Sequence, residues 1–227
     1  MVKYDDFWET FWKSRENMHW EEIDTLLEFF VTTFSDIEKW NIADMGCGNG
    51  RLLRHIVDSG IRDDFVEHSL RYVGFDSSQV LLNQAHIDTK IQTYFSPKWI
   101  LGDMRDMGIL SWNLFDAFFY IASFHHLETY AERVDVLKNS VKLLQPNGII
   151  LLTNWNLLHP TQKKYRTSLI SHHIDGSADF SVKIWEYRRF YHAFSESEYQ
   201  SLARDASLHI KKIHFGEKNS MVVFSQL

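Results

Sequence analysis

Apolar positions in the first forty residues recur at helical spacing: Phe7, Trp8, Phe11 and Trp12, then Ile23, Leu26, Leu27 and Phe30. Side chains three and four positions apart share one face of a helix. The segment therefore predicts two amphipathic helices, divided by a turn across residues 14–19. From Trp40 the pattern changes to short apolar runs at residues 41–45, 72–75, 99–101, 115–121 and 148–153, separated by stretches of helical period at 50–58, 79–85 and 131–144. Strands alternating with helices predict a parallel sheet with helices packed on it, here a βαβαβ series of at least five strands. Gln145-Pro146-Asn147-Gly148 is a stop-and-turn signal, because proline has no N–H to continue a helix and Asn-Gly tolerates tight turns. A polar, histidine-containing stretch follows to about residue 179, then an expected strand near 182–187, a helix over 195–206, and strands near 208–215 and 221–225. The short loop between the last two, at 216–220, predicts an antiparallel hairpin at a sheet edge.

Composition narrows the class. At 227 residues and 44% hydrophobic, the chain can bury one substantial core, and the reading is of a single domain without repeats or low-complexity tracts. Its formal net charge of −6 argues against a protein that coats nucleic acid through its overall field. That charge is unevenly divided: residues 1–154 hold 14 basic and 23 acidic side chains, whereas residues 155–227 hold 10 and 7. The C-terminal segment, with half of the 12 histidines, is thus a candidate anion-facing surface. The lone cysteine, Cys47, forms no internal disulfide and excludes a Cys-rich zinc site, so no metal site is expected. With acids near its start and no apolar run long enough to span a bilayer, the chain reads as cytoplasmic and not membrane-bound.

The most specific chemical signal is Ile42-Ala43-Asp44-Met45-Gly46-Cys47-Gly48-Asn49-Gly50, an apolar strand entering a glycine-rich turn that opens a helix. Glycines let the backbone turn sharply and let a ligand lie against it. A dinucleotide fold asks for G-x-G-x-x-G, with a pyrophosphate on the helix N-terminus. Here the spacing is G-x-G-x-G behind an acid, Asp44, which suits an ammonium-bearing ligand better than a pyrophosphate. A second acid, Asp76, ends Tyr72-Val73-Gly74-Phe75-Asp76-Ser77-Ser78, where a carboxylate can accept both hydroxyls of a ribose or, alternatively, cap a helix. A third, in Leu101-Gly102-Asp103-Met104-Arg105, could accept the adenine amine while Met104 packs on the ring, or simply form a polar turn.

In order and spacing these motifs resemble the class I S-adenosylmethionine-dependent methyltransferases across roughly residues 40–155. The resemblance implies an α/β fold, a Rossmann-like doubly wound, mostly parallel seven-stranded sheet with a C-terminal antiparallel hairpin and an N-terminal helical cap. It implies S-adenosyl-L-methionine as cofactor, with Asp44, Gly46, Cys47, Gly48 and Asn49 around the methionine part. Asp76 and Ser77 would lie at the ribose, Asp103 and Met104 at the adenine, and Ile121 at the end of the fourth strand. The chain then divides into a cap (1–39), a cofactor core (40–154) and a substrate-facing segment (155–227). One departure is the long, charged stretch at 59–70.

The strand Phe119-Tyr120-Ile121 delivers Ala122-Ser123-Phe124-His125-His126-Leu127 into a loop that, in such enzymes, lines the space beside the sulfonium. It is not the Asn/Asp-Pro-Pro-Tyr/Phe motif of base-amine methylation. This loop, together with Glu132-Arg133 and Arg188-Arg189-Phe190-Tyr191-His192-Ala193-Phe194, is similar to the tRNA wobble-uridine carboxymethyl methyltransferases. That resemblance implies a carboxylate acceptor on tRNA and, as in eukaryotic relatives, a small activator protein subunit. A carboxylate is anionic at neutral pH, needs no general base, and is best held by arginine or a histidine donor. Arg15, Arg189, His125 and His126 are the candidates, and Trp155, Tyr187, Phe190 and Tyr191 could stack an unpaired base or serve as core. Two other readings stand beside this one: a small-metabolite methyltransferase with residues 156–185 as a lid, and a non-catalytic, cofactor-binding partner subunit.

Overall fold

The computed structural model describes residues 21–110, 114–184 and 187–227. The first expected helix, with Arg15 and Trp20, lies outside the described residues. The second is present as α1 (Glu21–Thr33), whose Ile23, Leu26, Leu27 and Phe30 are all buried. Helices α2 (Arg51–Asp58), α3 (Arg62–Glu67), α4 (Gln79–His86) and α5 (Thr89–Tyr94) alternate with strands β1 (Asn41–Met45), β2 (Arg71–Asp76), β3 (Lys98–Leu101) and β4 (Phe115–Ile121). Downstream come α6 (Tyr130–Lys142), β5 (Leu144–Trp155), β6 (Leu169–His172), β7 (Ala178–Ile184), β8 (Tyr187–Ala193), α7 (Glu196–Asp205), β9 (Leu208–Phe215) and β10 (Asn219–Gln226). Seven strands hydrogen-bond in the order β3-β2-β1-β4-β5-β10-β9, and β6-β7-β8 form a separate sheet. This is the Rossmann-like fold with its C-terminal antiparallel hairpin. By compactness the chain divides into units Met1–Phe119 and Tyr120–Leu227.

In the first unit β1 pairs parallel with β2 on one side and β4 on the other. Interior parallel strands are covered on both faces, so they read as continuous apolar runs; all seven residues of β4 are buried, even Asp116. Burial of Asp116 is met by a bond its carboxylate accepts from the Asn41 amide at 2.7 Å. The strand order reverses about β1, which leaves a crevice beyond its carboxyl end, where open α/β sheets bind ligands. Behind it, Phe30 packs edge-on to Trp40 and stacks on Phe65, and the Trp40 indole donates to the Phe34 carbonyl at 2.9 Å. Each such buried ring contributes about 2–3 kcal/mol.

In the second unit β10 pairs antiparallel with both β5 and β9. Helix α6 opens on a capping box in which Thr129 and Glu132 exchange side-chain-to-backbone bonds. Four expectations need correction. The stretch at 59–70 is not merely a loop, since it holds α3. The Pro-Asn-Gly signal does stop α6, but β5 begins at once at Leu144, with Asn147 at φ 68°. The strand expected near 182–187 is two strands: β7 and β8 pair antiparallel with Ile184 opposite Tyr187. The polar, histidine-containing stretch before them contains β6.

Candidate functional site

Gly46, Gly48 and Gly50 take φ of 76°, 57° and 80°, values that residues with a Cβ adopt only under strain. The G-x-G-x-G spacing therefore encodes three left-handed turns in five residues. These fold the loop over the end of β2, where the Phe75 carbonyl accepts the amides of both Gly46 and Cys47, at 2.7 and 3.2 Å. Gly50 caps α2, and a methyl group there would lie 2.9 Å from the Ile91 side chain.

Asp76 is the clasp of this arrangement. Its Oδ2 accepts the Gly48 amide and its Oδ1 the Ser78 amide, each at 2.8 Å. The helix cap considered for Asp76 falls instead to Ser78, whose side chain accepts from the Leu81 amide. Asp76 thus joins the glycine loop to the α4 turn, its carboxylate held by main-chain donors at the mouth of the crevice. Ser77 is exposed and Asn49 buried. Cys47 is also buried, and burial pushes its thiol well above the ordinary range, so its side chain packs rather than reacts.

Asp44 is 1% exposed. Its Oδ2 accepts a 2.5 Å bond from the Tyr72 hydroxyl, while Oδ1 is buried without a partner. The register explains the contact: Asp44 lies opposite Gly74, which has no side chain, so Tyr72 two residues earlier on the same face reaches it. Nothing in the sequence marks Tyr72 for this role. Burial raises the Asp44 pKa to about 7, against the lowering influence of Tyr72 and Arg51. An orphaned buried oxygen at the end of β1 is what an ammonium group would satisfy, and this is the main reason the residues fit the methionine end of S-adenosylmethionine. The fit has a pH consequence. An ammonium ligand favours the ionised carboxylate, so binding should release a proton wherever free Asp44 is protonated, and affinity should rise with pH up to about 7 and then level off. Calorimetry in buffers of different ionisation enthalpy measures that release; Asp44→Asn should abolish it.

Asp103 forms a 2.5 Å ion pair with Arg105 and accepts the Arg105 amide at 2.9 Å, which hold its carboxyl below the ordinary range. Met104 beside it is half-buried. Gly102 donates to the Asp76 carbonyl at 2.9 Å, so the second and third acids are linked through the backbone of β2 and β3.

In the second unit, Ile121 is buried and followed by Ala122 at φ 52°. A non-glycine residue held in the left-handed region costs on the order of 1–3 kcal/mol and persists where its surroundings fix it; here Thr153 does, its carbonyl and hydroxyl accepting the Ala122 amide at 3.0 and 3.1 Å. Sequence pattern gives no signal for this turn, which aims both histidines. The buried His125 accepts the Trp155 amide on Nδ1 at 3.2 Å. His126 lies 3.0 Å from the Phe190 carbonyl through Nδ1 and 3.4 Å from the Arg189 guanidinium through Nε2. A carbonyl only accepts and a guanidinium only donates, so the ring is neutral with its proton on Nδ1. Burial, then Arg189, push its pKa well below the ordinary range.

Arg189 also lies over the Tyr191 ring, 6.0 Å from its centroid. Tyr191 stacks on Trp155 at 4.7 Å and 12°. Tyr191 belongs to a core with Leu157, Ala178, Phe180, Val182 and Ala193, whereas Trp155 is only partly buried against it. Tyr187 and Phe190 are half-buried, and Arg188 is exposed, donating to the Ser181 carbonyl at 3.1 Å. The structure thus gathers His125, His126, Arg189, Trp155 and Tyr191 into one cluster.

Comparison with known proteins agrees with this fold. Residues 43–152 match a family model described as a methyltransferase domain. The N-methyltransferase FrzE of Cladobotryum sp. is 24% identical over 162 residues, 65% of this chain and 55% of that protein. The matched part thus spans little more than half the length of that curated relative. Among solved structures, an S-adenosylmethionine-dependent methyltransferase from Clostridium acetobutylicum ATCC 824 superposes with TM-score 0.66 at 14% identity, covering 98% of each chain. Magnesium protoporphyrin IX methyltransferase from Synechocystis PCC 6803, with bound SAM, gives 0.59 at 13%, covering 91% of this chain and 79% of that one. Residues 43–152 thus match a methyltransferase domain, and the chain has the fold of S-adenosylmethionine-dependent methyltransferases.

Proposed function

We propose that this methyltransferase domain esterifies a carboxylate, and that the carboxylate is borne by a modified wobble uridine of tRNA. The observation that carries the reading is the Arg189–His126 pair against the Tyr191 and Trp155 rings. S-adenosylmethionine, when bound, supplies a methyl group already activated on a sulfonium. What remains for the protein is alignment of the acceptor and exclusion of water. A guanidinium fork binds the two oxygens of a carboxylate in a fixed plane. His126, with both ring nitrogens engaged, orients that fork rather than serving as a base, and an ionised carboxylate needs none. Half-exposed aromatic surface from Trp155, Tyr187 and Phe190 suits a splayed base. No helix of the described residues is long and apolar enough to cross a membrane.

The second reading is a small-molecule acceptor, favoured by the N-methyltransferase relative. One experiment separates them. The chain alone is incubated with methyl-labelled cofactor and either alkali-treated bulk tRNA, whose esters have been hydrolysed, or a metabolite extract. Label entering tRNA and released by mild alkali is the expected result, since methyl esters hydrolyse and N-methyl groups do not. Alkali-stable label confined to the small-molecule fraction would refute the carboxylate. Labelling without added protein would also dispense with the activator subunit.

A further inference from the structure

We propose that His173, Asp179 and His192 form a binding site for a divalent transition-metal ion of the zinc class, which ties the β6–β7 turn to β8 and α7. Their ligating atoms all lie within 4.8 Å of one another. His192 Nδ1 is 2.7 Å from Asp179 Oδ1, and His173 Nε2 is 2.8 Å from Asp179 Oδ2. Two imidazoles and one carboxylate are the donor set of many open zinc sites, with a fourth position left to water. Cross-strand pairing places Asp179 directly opposite His192, and the turn closed by the His173–Ser177 and Gly176–His173 backbone bonds brings the second histidine round to meet them. The three residues are separated by 5 and 12 others, so no compact sequence motif announces the site.

What distinguishes this trio from a chance ion pair is its support. His192 is fully buried, and its far nitrogen, Nε2, lies 2.5 Å from Glu198 Oε2. Glu198 is itself buried and lies 3.1 Å from Arg133, through Oε1 and Nε. A ligating histidine characteristically donates its other N–H to such a carboxylate, which fixes the tautomer and sharpens the ring's basicity toward the ion. Ser171 donates to Asp179 Oδ2 at 2.9 Å and holds the carboxylate in turn. His173, 41% exposed at its side chain, opens the site to solvent and gives an ion a path of entry.

The present separations are hydrogen-bond lengths. Zinc bonds of about 2.0–2.1 Å to nitrogen and oxygen require ligand atoms roughly 3.4 Å apart in a tetrahedron. Binding therefore replaces the protons between the imidazoles and Asp179 by the ion, lengthens these two separations by about 0.6 Å and closes any wider pair of the trio to the same spacing, movements the exposed His173 can make. The consequence falls on β8, because Arg189 and Tyr191 precede His192 on that strand. A bound ion would stiffen the strand that carries them.

The test uses the full chain, freed of any affinity tag and stripped of metal with a chelator. It is titrated with zinc by calorimetry and with cobalt in the visible spectrum. Saturable binding of one ion per chain is expected, with cobalt bands of tetrahedral type lacking thiolate charge transfer. In His173→Ala, whose exposed side chain leaves the core intact by circular dichroism, zinc affinity should fall by about tenfold or more. Asp179→Asn, which keeps the side-chain shape, should do the same. Failure to bind zinc saturably, or equal affinity in His173→Ala, overturns the proposal and leaves the trio a proton-held network.

Discussion

Asp76→Ala should lower the affinity for S-adenosylmethionine by about a hundredfold or more. The side chain has two tasks, and the substitution removes both. One is to hold the Gly48 and Ser78 amides, which fixes the left-handed glycine loop against the α4 turn. The other is the task proposed for it at the end of β2, to accept the ribose hydroxyls. Hydrogen bonds to a charged acceptor contribute about 1.5–3 kcal/mol each, and 1.4 kcal/mol is tenfold in affinity, so two lost bonds to a ligand account for the figure. Asp76→Asn distinguishes the tasks. It keeps one acceptor oxygen but puts an NH2 group against one of the two amides, so binding should weaken while the fold persists. Calorimetry with the cofactor gives the affinities, and circular dichroism reports the fold. Affinity within threefold of the parent in a folded Asp76→Ala protein would remove Asp76 from the ribose site.

How much of this was legible beforehand depends on what kind of constraint each feature obeys. Strands β1 and β4 are buried on both faces, and their boundaries follow from apolar runs interrupted only by Asn41, Asp44 and Asp116. The glycine loop is legible because backbone conformation there admits only one residue type at Gly46, Gly48 and Gly50. The three-stranded sheet was not read, for two opposite reasons. Strand β6 is mostly exposed, with Leu169 and Ile170 facing outward, so it carries no periodicity. Strand β7 alternates as a half-buried strand should, Ala178, Phe180 and Val182 inward, but polar residues before it obscure where it begins. Pairings between distant positions, such as Tyr72 with Asp44 or Glu198 with His192, depend on register, which a single chain does not display.

The acids at the ends of β1, β2 and β3 also show where sequence reading meets its limit. Position along the chain assigns Asp44 to an ammonium group, Asp76 to a ribose and Asp103 to an adenine amine, but does not show how differently the three carboxylates are held. Asp44 is desolvated and holds its proton to about pH 7; Asp76 is clasped by amides; Asp103 is paired with Arg105 and partly exposed. The differences come from depth along the strand end. The innermost acid suits the charged end of a ligand, where removal from water makes an ammonium contact most effective, and the outermost suits a neutral amine.

Arg189→Ala should reduce methylation by on the order of a hundredfold while leaving cofactor affinity unchanged. The guanidinium is held on one side by the His126 ring at 3.4 Å and on another by the face of Tyr191. A charge-assisted pair between such a fork and an acceptor carboxylate, once shielded from water, is worth about 2–5 kcal/mol on truncation. Because the acceptor carboxylate is charged in both the ground and transition states, the loss should appear chiefly in KM, with kcat less affected. Arg189→Lys preserves the charge but not the planar two-point geometry, so it should recover only part of the activity. If Arg189 merely supported the fold, Arg189→Lys and Arg189→Ala would lower the melting temperature together and the KM split would not appear. Parent-like KM and kcat in Arg189→Ala would exclude the residue from acceptor binding and turn attention to His125, whose Nδ1 is committed to the Trp155 amide and whose proton therefore sits on Nε2.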